Sequence, residues 1–374
     1  MDPTSFNSHA GIGAIAGAAA LASATHSNSN SSSDGSADSV VQLPPIGAPL
    51  QPSAALLPSR SSDRVLHSFD ISRDEIEILN QVGAGGFGVV YRARYRGVDA
   101  AVKMISAGAS SNADLMKSFE RELHVMSVIH NNRLVQVYGA CRDPQQPFIV
   151  MEWMERGSLY DCLHSSNARL HPISMEQRLE MAIQILEGVT YMHSCRPPLL
   201  HTDIKSHNIL VDRSWNVKIA DFGFAQMVAH SNSSSLMSIR SNSSSKNGTL
   251  SCGGTLAYLP PEALSEDVIP PDTHLDMYAT GVVLWELFSG QSPWNGLTFT
   301  QIMCQVGLYK KTLQMTPAIP MAIQTILKDL FAERKMRPSA RQVLQALKDI
   351  QPGMMRELDS HSVAAGKSIE STYP

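Results

Sequence analysis

The pattern of hydrophobic and polar positions splits the chain into two unlike parts between polar ends. From about residue 74 come short apolar runs bounded by Gly or Pro: "EIEILNQV", "GVVYRARYRG", "DAAVKMI" and "PFIVMEWM". Their length and their Val, Ile, Tyr and Phe content predict β-strands. One helix interrupts them. In "ADLMKSFERELHVMSVI", Met116, Phe119, Leu123 and Met126 recur at helical spacing as one apolar stripe, with Glu122 on its border. The later part is mostly helical. "SMEQRLEMAIQILEGVTYMHS" places Leu179, Ala182, Ile183, Leu186 and Val189 on one face. "DMYATGVVLWELFSG" is apolar on nearly all sides, which predicts a helix buried inside its lobe. A small β-rich lobe followed by a larger helical lobe is an α+β arrangement. It leaves a cleft between the lobes, a favoured place for a ligand.

Composition sets the limits of this folded block. Residues 1 to about 70 are rich in Ser, Ala, Asn and Pro, and cannot bury enough apolar surface to offset chain entropy, so a disordered low-complexity tail is expected over 1–70. The end, 352–374, reads as a weakly ordered tail. A Ser-rich island, "HSNSSSLMSIRSNSSSKNG" at 230–248, reads as a mobile loop inside the domain. Between the tails lie about 280 residues, long for a single core and consistent with two lobes.

The formal net charge is -4, which argues against a nucleic-acid binder acting through general basicity. Five cysteines are scattered without C-x-x-C spacing, so reduced thiols in a cytoplasmic protein are expected, with no disulfide framework or metal site. The sequons at Asn30, Asn232, Asn242 and Asn247 are then incidental. "AGIGAIAGAAALASA" (10–24) lacks a basic flank, because no Lys or Arg precedes Arg60, and it is too short and too rich in Gly and Ala to span a bilayer. No membrane insertion is expected, and Asp2 stands where myristoylation needs glycine.

Candidate chemistry begins at the loop Val82, Gly83, Ala84, Gly85, Gly86, Phe87, Gly88, which contains G-x-G-x-x-G. A dinucleotide fold needs a helix to open at these glycines. Here "VVYRARY", a strand, follows Gly88. The loop therefore joins two strands, and a nucleotide-dependent oxidoreductase is excluded. Backbone N–H groups free of side chains can close over phosphate oxygens. Lys103 follows in "DAAVKMI", flanked by apolar residues. A buried ammonium needs an anion, and Glu122 is the candidate. The alternative is that both are surface charges that never meet.

A second oddity is "LLHTDIKSHNILV" (199–211), an apolar strand-like run broken by Asp203, Lys205 and Asn208. Unpaired burial of a charge costs several kcal/mol. Either the segment is a surface turn, or these groups hold something. "DFG" at 221–223 and "PPE" at 260–262 follow.

In this order the set resembles the eukaryotic protein kinases, over residues 74–350, with an N-lobe of about 74–153 and a C-lobe of about 154–350. "FEREL", "GSLYDCLH", "GVVLWELFSGQSPW" and "RPSARQVLQAL" resemble the tyrosine-kinase-like group of serine/threonine kinases. The resemblance implies a bilobal α+β fold and transfer of the γ-phosphoryl group of ATP to protein Ser/Thr hydroxyls, with Mg²⁺, or Mn²⁺ in its place. It implies that Asp203 accepts or orients the substrate proton and that Lys205 and Lys103 face phosphate. Asn208 and Asp221 would hold the metal. Met151 would be the gatekeeper, and Glu152 and Met154 would offer backbone groups to the adenine edge. Val90, Ala101 and Leu210 would sandwich the ring, and ordinary core packing explains these three equally well. Phe222 belongs to the D-F-G motif. Glu262 and Arg337 resemble the ion pair that ties the activation segment down, and Asp276 the buried acid that anchors the catalytic loop. Oligomeric state stays open.

Two departures stand out. The family's H-R-D reads His201-Thr202-Asp203, and Thr202 cannot offer a bidentate cation to a phosphorylated loop. Activity is therefore expected to depend less on activation-loop phosphorylation than is usual. The stretch from Asp221 to Glu262 is long and carries Ser238, Ser241, Ser243, Thr249, Ser251 and Thr255, read either as phosphorylation sites or as a solvated insertion. Two alternatives accompany the kinase reading: a catalytically dead scaffold of the same fold, and a dual-specificity enzyme.

Overall fold

The computed structural model describes residues 69–85, 88–105, 113–143, 145–166, 168, 170–227, 256–264 and 270–370, with Ile15–Ala16. Gly86, Phe87 and the Ser-rich island with its Ser and Thr candidates lie outside the described residues.

The first lobe is an antiparallel sheet. Its strands are β1 (Ile15–Ala16), β2 (Ile76–Gly85), β3 (Gly88–Tyr95), β4 (Val98–Met104), β5 (Val137–Cys141) and β6 (Phe148–Met154), in the order β1-β6-β4-β3-β2 with β5 on β6. The β2–β3 ladder runs to Gly85 opposite Gly88, so the glycine loop is a hairpin as the strand after it predicts. Two register shifts in β2, between Ile78 and Asn80 and between Gln81 and Gly83, bend the strand just before the loop. Gly88 is required there: its φ is 140°, and a Cβ would sit 1.9 Å from the Met104 carbonyl oxygen. Within the expected tail 1–70, the described backbone is paired: β1 lies against Met154 and Trp153, and Phe69 O accepts from Ala140 N at 2.8 Å.

Helix α1 (Ala113–Val128) packs on this sheet with Phe119, Leu123 and Met126 buried, the stripe read from the sequence. Beyond β6, the chain forms β7 (Gly157–Ser158), α2 (Leu159–His164), α3 (Met175–Ser194), β8 (Leu199–Leu200), β9 (Ile209–Val211), β10 (Val217–Ile219) and β11 (Gln226–Met227). Helices α4 (Thr273–Ser289), α5 (Phe299–Ile302), α6 (Met321–Leu330) and α7 (Ala340–Glu370) complete the second lobe, with one π-helical stretch, Met303–Leu308, after α5.

Helix α3 opens on a capping box: Gln177 N donates to Ser174 Oγ at 3.2 Å, and Ser174 N to Gln177 Oε1 at 2.9 Å. Its expected face is buried, but so are Met181, Gln184, Ile185, Gly188 and Met192. The sequence shows one face because it shows one partner; here α7 covers one side and β8, β10 and α4 the others. Helix α4 is buried from Leu275 to Phe288, as its pattern predicts. Asp272 caps its start, and Gly290, at φ 68°, closes its end.

Over 352–370, part of the stretch expected as a tail, the described backbone is helical. Helix α7 passes through Pro352 and continues to Glu370, with Met354 buried and Arg356 Nε donating to Pro352 O at 3.0 Å.

A single apolar cluster extends from Ala101 and Ile149 in the sheet, through Met154 and Leu159, to Leu347 in α7. The lobes also meet through backbone: Val135 N donates to Ile219 O and Ile219 N to Arg133 O, both at 2.8 Å. Among the described residues no helix is long and apolar enough to cross a membrane.

Candidate active site

Strand β4 brings Lys103 to the inner side of α1. Its Nζ donates to Glu122 Oε2 at 2.9 Å and Oε1 at 3.2 Å, and also to Asp221 Oδ1 at 2.9 Å. The alternative of two surface charges is thereby overturned, since the side chains of Lys103 and Glu122 are 14% and 7% exposed. Burial opposes the ammonium, but the carboxylates of Asp221 and Glu122 outweigh it and raise the lysine pKa above its ordinary value. Burial likewise opposes the Asp221 carboxylate. The charge and hydrogen bond of Lys103, with Lys205 and His201, bring its pKa below the usual range.

The loop between β8 and β9 holds the polar groups that break the apolar run. Lys205 Nζ donates to Asp203 Oδ2 at 2.7 Å, and Asn208 Nδ2 donates to the same oxygen at 3.0 Å and to Asp203 O at 2.9 Å. Asp203 Oδ1 is buried and has no partner among the described residues. Lys205, bonded to Asp203, also acts on Asp221 through its charge, so both carboxylates belong to one electrostatic site.

Asp276, wholly buried on α4, anchors this loop. Its Oδ2 accepts from His201 N at 2.9 Å and its Oδ1 from Thr202 N at 2.8 Å. His193 Nε2 at the end of α3 adds a bond of 2.9 Å to Oδ2. Burial would raise the Asp276 pKa, but His193, with His201, holds it below the usual range. His201 Nε2 donates to Ala220 O at 3.0 Å, which leaves Nδ1 to accept from Asp203 N at 3.3 Å. Thr202 and Asp221 both have left-handed backbone, at φ 63° and 66°. Such values are uncommon outside glycine, and for a β-branched residue they are outliers.

The remaining candidate residues lie on β4, β6, the glycine hairpin and the second lobe. Met151, Glu152 and Met154 end β6, all buried. The Glu152 carboxylate is itself held, by Lys218 Nζ at 2.7 Å to each oxygen and by Gln136 N at 2.7 Å. Val82, Val90, Ala101 and Leu210 belong to the same apolar cluster. Gly83 and Gly88 are buried at the hairpin, with Ala84 exposed between Gly83 and Gly85. Phe222 is buried, its ring centroid 5.1 Å from that of His201. Arg337 Nη2 donates to Glu262 Oε2 at 2.9 Å, Nη1 reaches Oε1, and the guanidinium lies 5.0 Å from the centre of the Tyr278 ring.

Sequence reasoning missed one buried chain of polar groups. Ser206 Oγ meets Tyr258 Oη at 2.9 Å, and Tyr258 Oη donates to Glu286 Oε2 at 2.7 Å. His164 Nε2 meets Glu286 Oε1 at 2.8 Å. A signal was present: Glu286 is a charged residue inside the apolar run "GVVLWELF". A carboxylate there must find donors.

A sequence model of the protein tyrosine and serine/threonine kinase family matches residues 76–347. The chain belongs to this family. Similar kinases include the serine/threonine-protein kinase CTR1 of Arabidopsis thaliana, 31% identical over 84% of this chain and 36% of that protein. The probable serine/threonine-protein kinase SIS8 of the same plant is 32% identical over 75% of this chain and 26% of its own. The probable serine/threonine-protein kinase drkB of Dictyostelium discoideum is 33% identical over 75% of this chain and 38% of its own. The chain thus spans well under half the length of these relatives. The kinase fold expected from the ordered motifs is the one observed, with an antiparallel sheet in the first lobe and helices in the second.

Proposed function

We propose that the chain is an ATP-dependent protein serine/threonine kinase whose catalytic base is Asp203. The observation that carries this reading is the asymmetry of that carboxylate. Its Oδ2 is fixed by Lys205 and Asn208, while its buried Oδ1 has no partner among the described residues. A buried acceptor left open is costly in a purely structural site, and a substrate hydroxyl would satisfy it. A dead scaffold has no use for that arrangement.

The site has oxygen donors suited to Mg²⁺. Asn208 spends its amide nitrogen on Asp203, which leaves its carbonyl oxygen for a metal, and Asp221 lends Lys103 only Oδ1. Asp221 and Asn208 would hold the ion, which when bound neutralises phosphate charge and orients the γ-phosphoryl group. Lys103, aimed by Glu122, would face the other phosphates, beside the described hairpin backbone at Val82–Gly85 and Gly88. Lys205 offsets the charge that grows as the phosphoryl group moves. The backbone of Glu152 and Met154 would meet the adenine edge, Val82, Val90, Ala101 and Leu210 would enclose the ring, and Met151 would close the back. Oδ1 of Asp203 accepts the hydroxyl proton of a protein Ser or Thr. A lysine two residues after the base is the serine/threonine pattern, so tyrosine transfer is a minor activity at most.

The test is incubation with Mg-ATP and a generic protein substrate, with Asp203→Ala as control, followed by identification of the phosphorylated amino acid. Phosphoserine and phosphothreonine formed by the wild type alone support the reading. Equal signal from both proteins overturns it.

A further inference from the structure

We infer that Thr202 is a positioning residue: its hydroxyl latches the segment after Asp221 to the catalytic loop without a phosphate. The inference rests on the kinase reading above and adds to it a means of holding the site in its working form. Thr202 Oγ1 donates to Phe224 O at 2.9 Å, across 22 residues of sequence. Its N–H is fixed in turn by Asp276 Oδ1 at 2.8 Å, and the residue is 5% exposed. Thr202 therefore connects a carbonyl three residues after Asp221 to the buried helix α4.

The backbone at this position supports a specific role. A threonine at φ 63° is strained, because its branched side chain crowds a left-handed backbone. Glycine would relieve the strain. Strain of this kind persists where the surroundings over-determine it. Here the over-determination consists of two hydrogen bonds, one from the backbone and one from the side chain. The neighbouring carbonyl, Gly223 O, is met from the first lobe by Arg121 Nη1 of α1 at 3.4 Å. Two consecutive carbonyls after Asp221 are thus held from opposite lobes. Asp221 itself has left-handed backbone, so its carboxylate direction depends on how the next residues are held. A single neutral hydroxyl does locally what a cation bound to a phosphorylated loop would do from a distance. The anchor is present in the unmodified chain.

The test uses the full chain with Thr202→Val, which keeps the branching and removes the donor, and Thr202→Ser, which keeps the donor. Thr202→Val is expected to lower kcat about tenfold, the loss of roughly one buried hydrogen bond from the active arrangement, with KM for the protein substrate nearly unchanged. Thr202→Ser is expected to recover most of that loss. Hydrogen–deuterium exchange of the backbone at 221–225 is expected to quicken in Thr202→Val and stay near wild type in Thr202→Ser. If the valine variant keeps wild-type kcat and exchange, or if serine is as impaired as valine, the inference is overturned. A wild type without turnover overturns the kinase reading instead, and the exchange comparison then decides the latch alone.

Discussion

Lys103 and Asp221 are 118 residues apart in sequence and meet at 2.9 Å across the two lobes. Glu122 takes the same ammonium from the other side. Strand β4, helix α1 and the start of the segment after β10 are therefore joined at one nitrogen. That junction makes Lys103, Glu122 and Asp221 one buried charged cluster.

In Lys103→Met the activity is expected to fall on the order of a hundredfold, the scale for removing one positioned electrostatic donor. Glu122→Gln alone should also lower kcat/KM, but should add almost nothing on top of Lys103→Met. A double-mutant cycle on phosphoryl transfer checks this. Additive effects would mean that the contact does not matter to turnover.

Treatment of the pure protein with phosphatase is expected to leave most of its activity. Thr202 offers no bidentate cation for a loop phosphate, and it holds Phe224 O directly. Activity before and after dephosphorylation, confirmed by mass, measures this. Complete loss of turnover would contradict it.

Glu262→Gln is expected to destabilise the fold by on the order of 3 kcal/mol, because it leaves the guanidinium of Arg337, 4% exposed, short of its carboxylate. Chemical unfolding should show a lower midpoint with an unchanged slope. Replacing both residues by apolar ones of similar size should recover part of the loss.

His207 gives a pH prediction. Its ring stacks on Tyr160 at 4.0 Å, and burial, with the charges of Lys205 and His164, lowers its pKa from 6.5 to about 4. The unfolded chain then binds a proton between these values that the folded chain does not. Stability should be fully present above pH 6.5 and fall as the pH drops toward 4. His207→Gln should flatten that part of the curve in thermal melts taken at a series of pH values.

The groups gathered in the candidate site were legible because each is a local anomaly: a lysine in an apolar strand, three polar side chains in an apolar run, a glycine loop followed by a strand. Such anomalies can be seen without knowing what lies opposite. The chain from Ser206 through Tyr258 and Glu286 to His164 was not legible, since its last link spans 122 residues and His164 alone looks ordinary. The full burial of α3 was hidden for a similar reason. A helical pattern announces the face against its strongest partner, and Met181 and Ile185 on its other sides reveal their neighbours only in the fold.

Asp276 has a thermal consequence. The loop bearing Asp203 is tied by two backbone N–H hydrogen bonds to a carboxylate on α4, a helix buried along nearly its whole length. On heating, the candidate site is expected to keep its arrangement while that helix stands. Inactivation and melting should therefore share one midpoint, and the protein should pass from working to unfolded without a folded but idle state between.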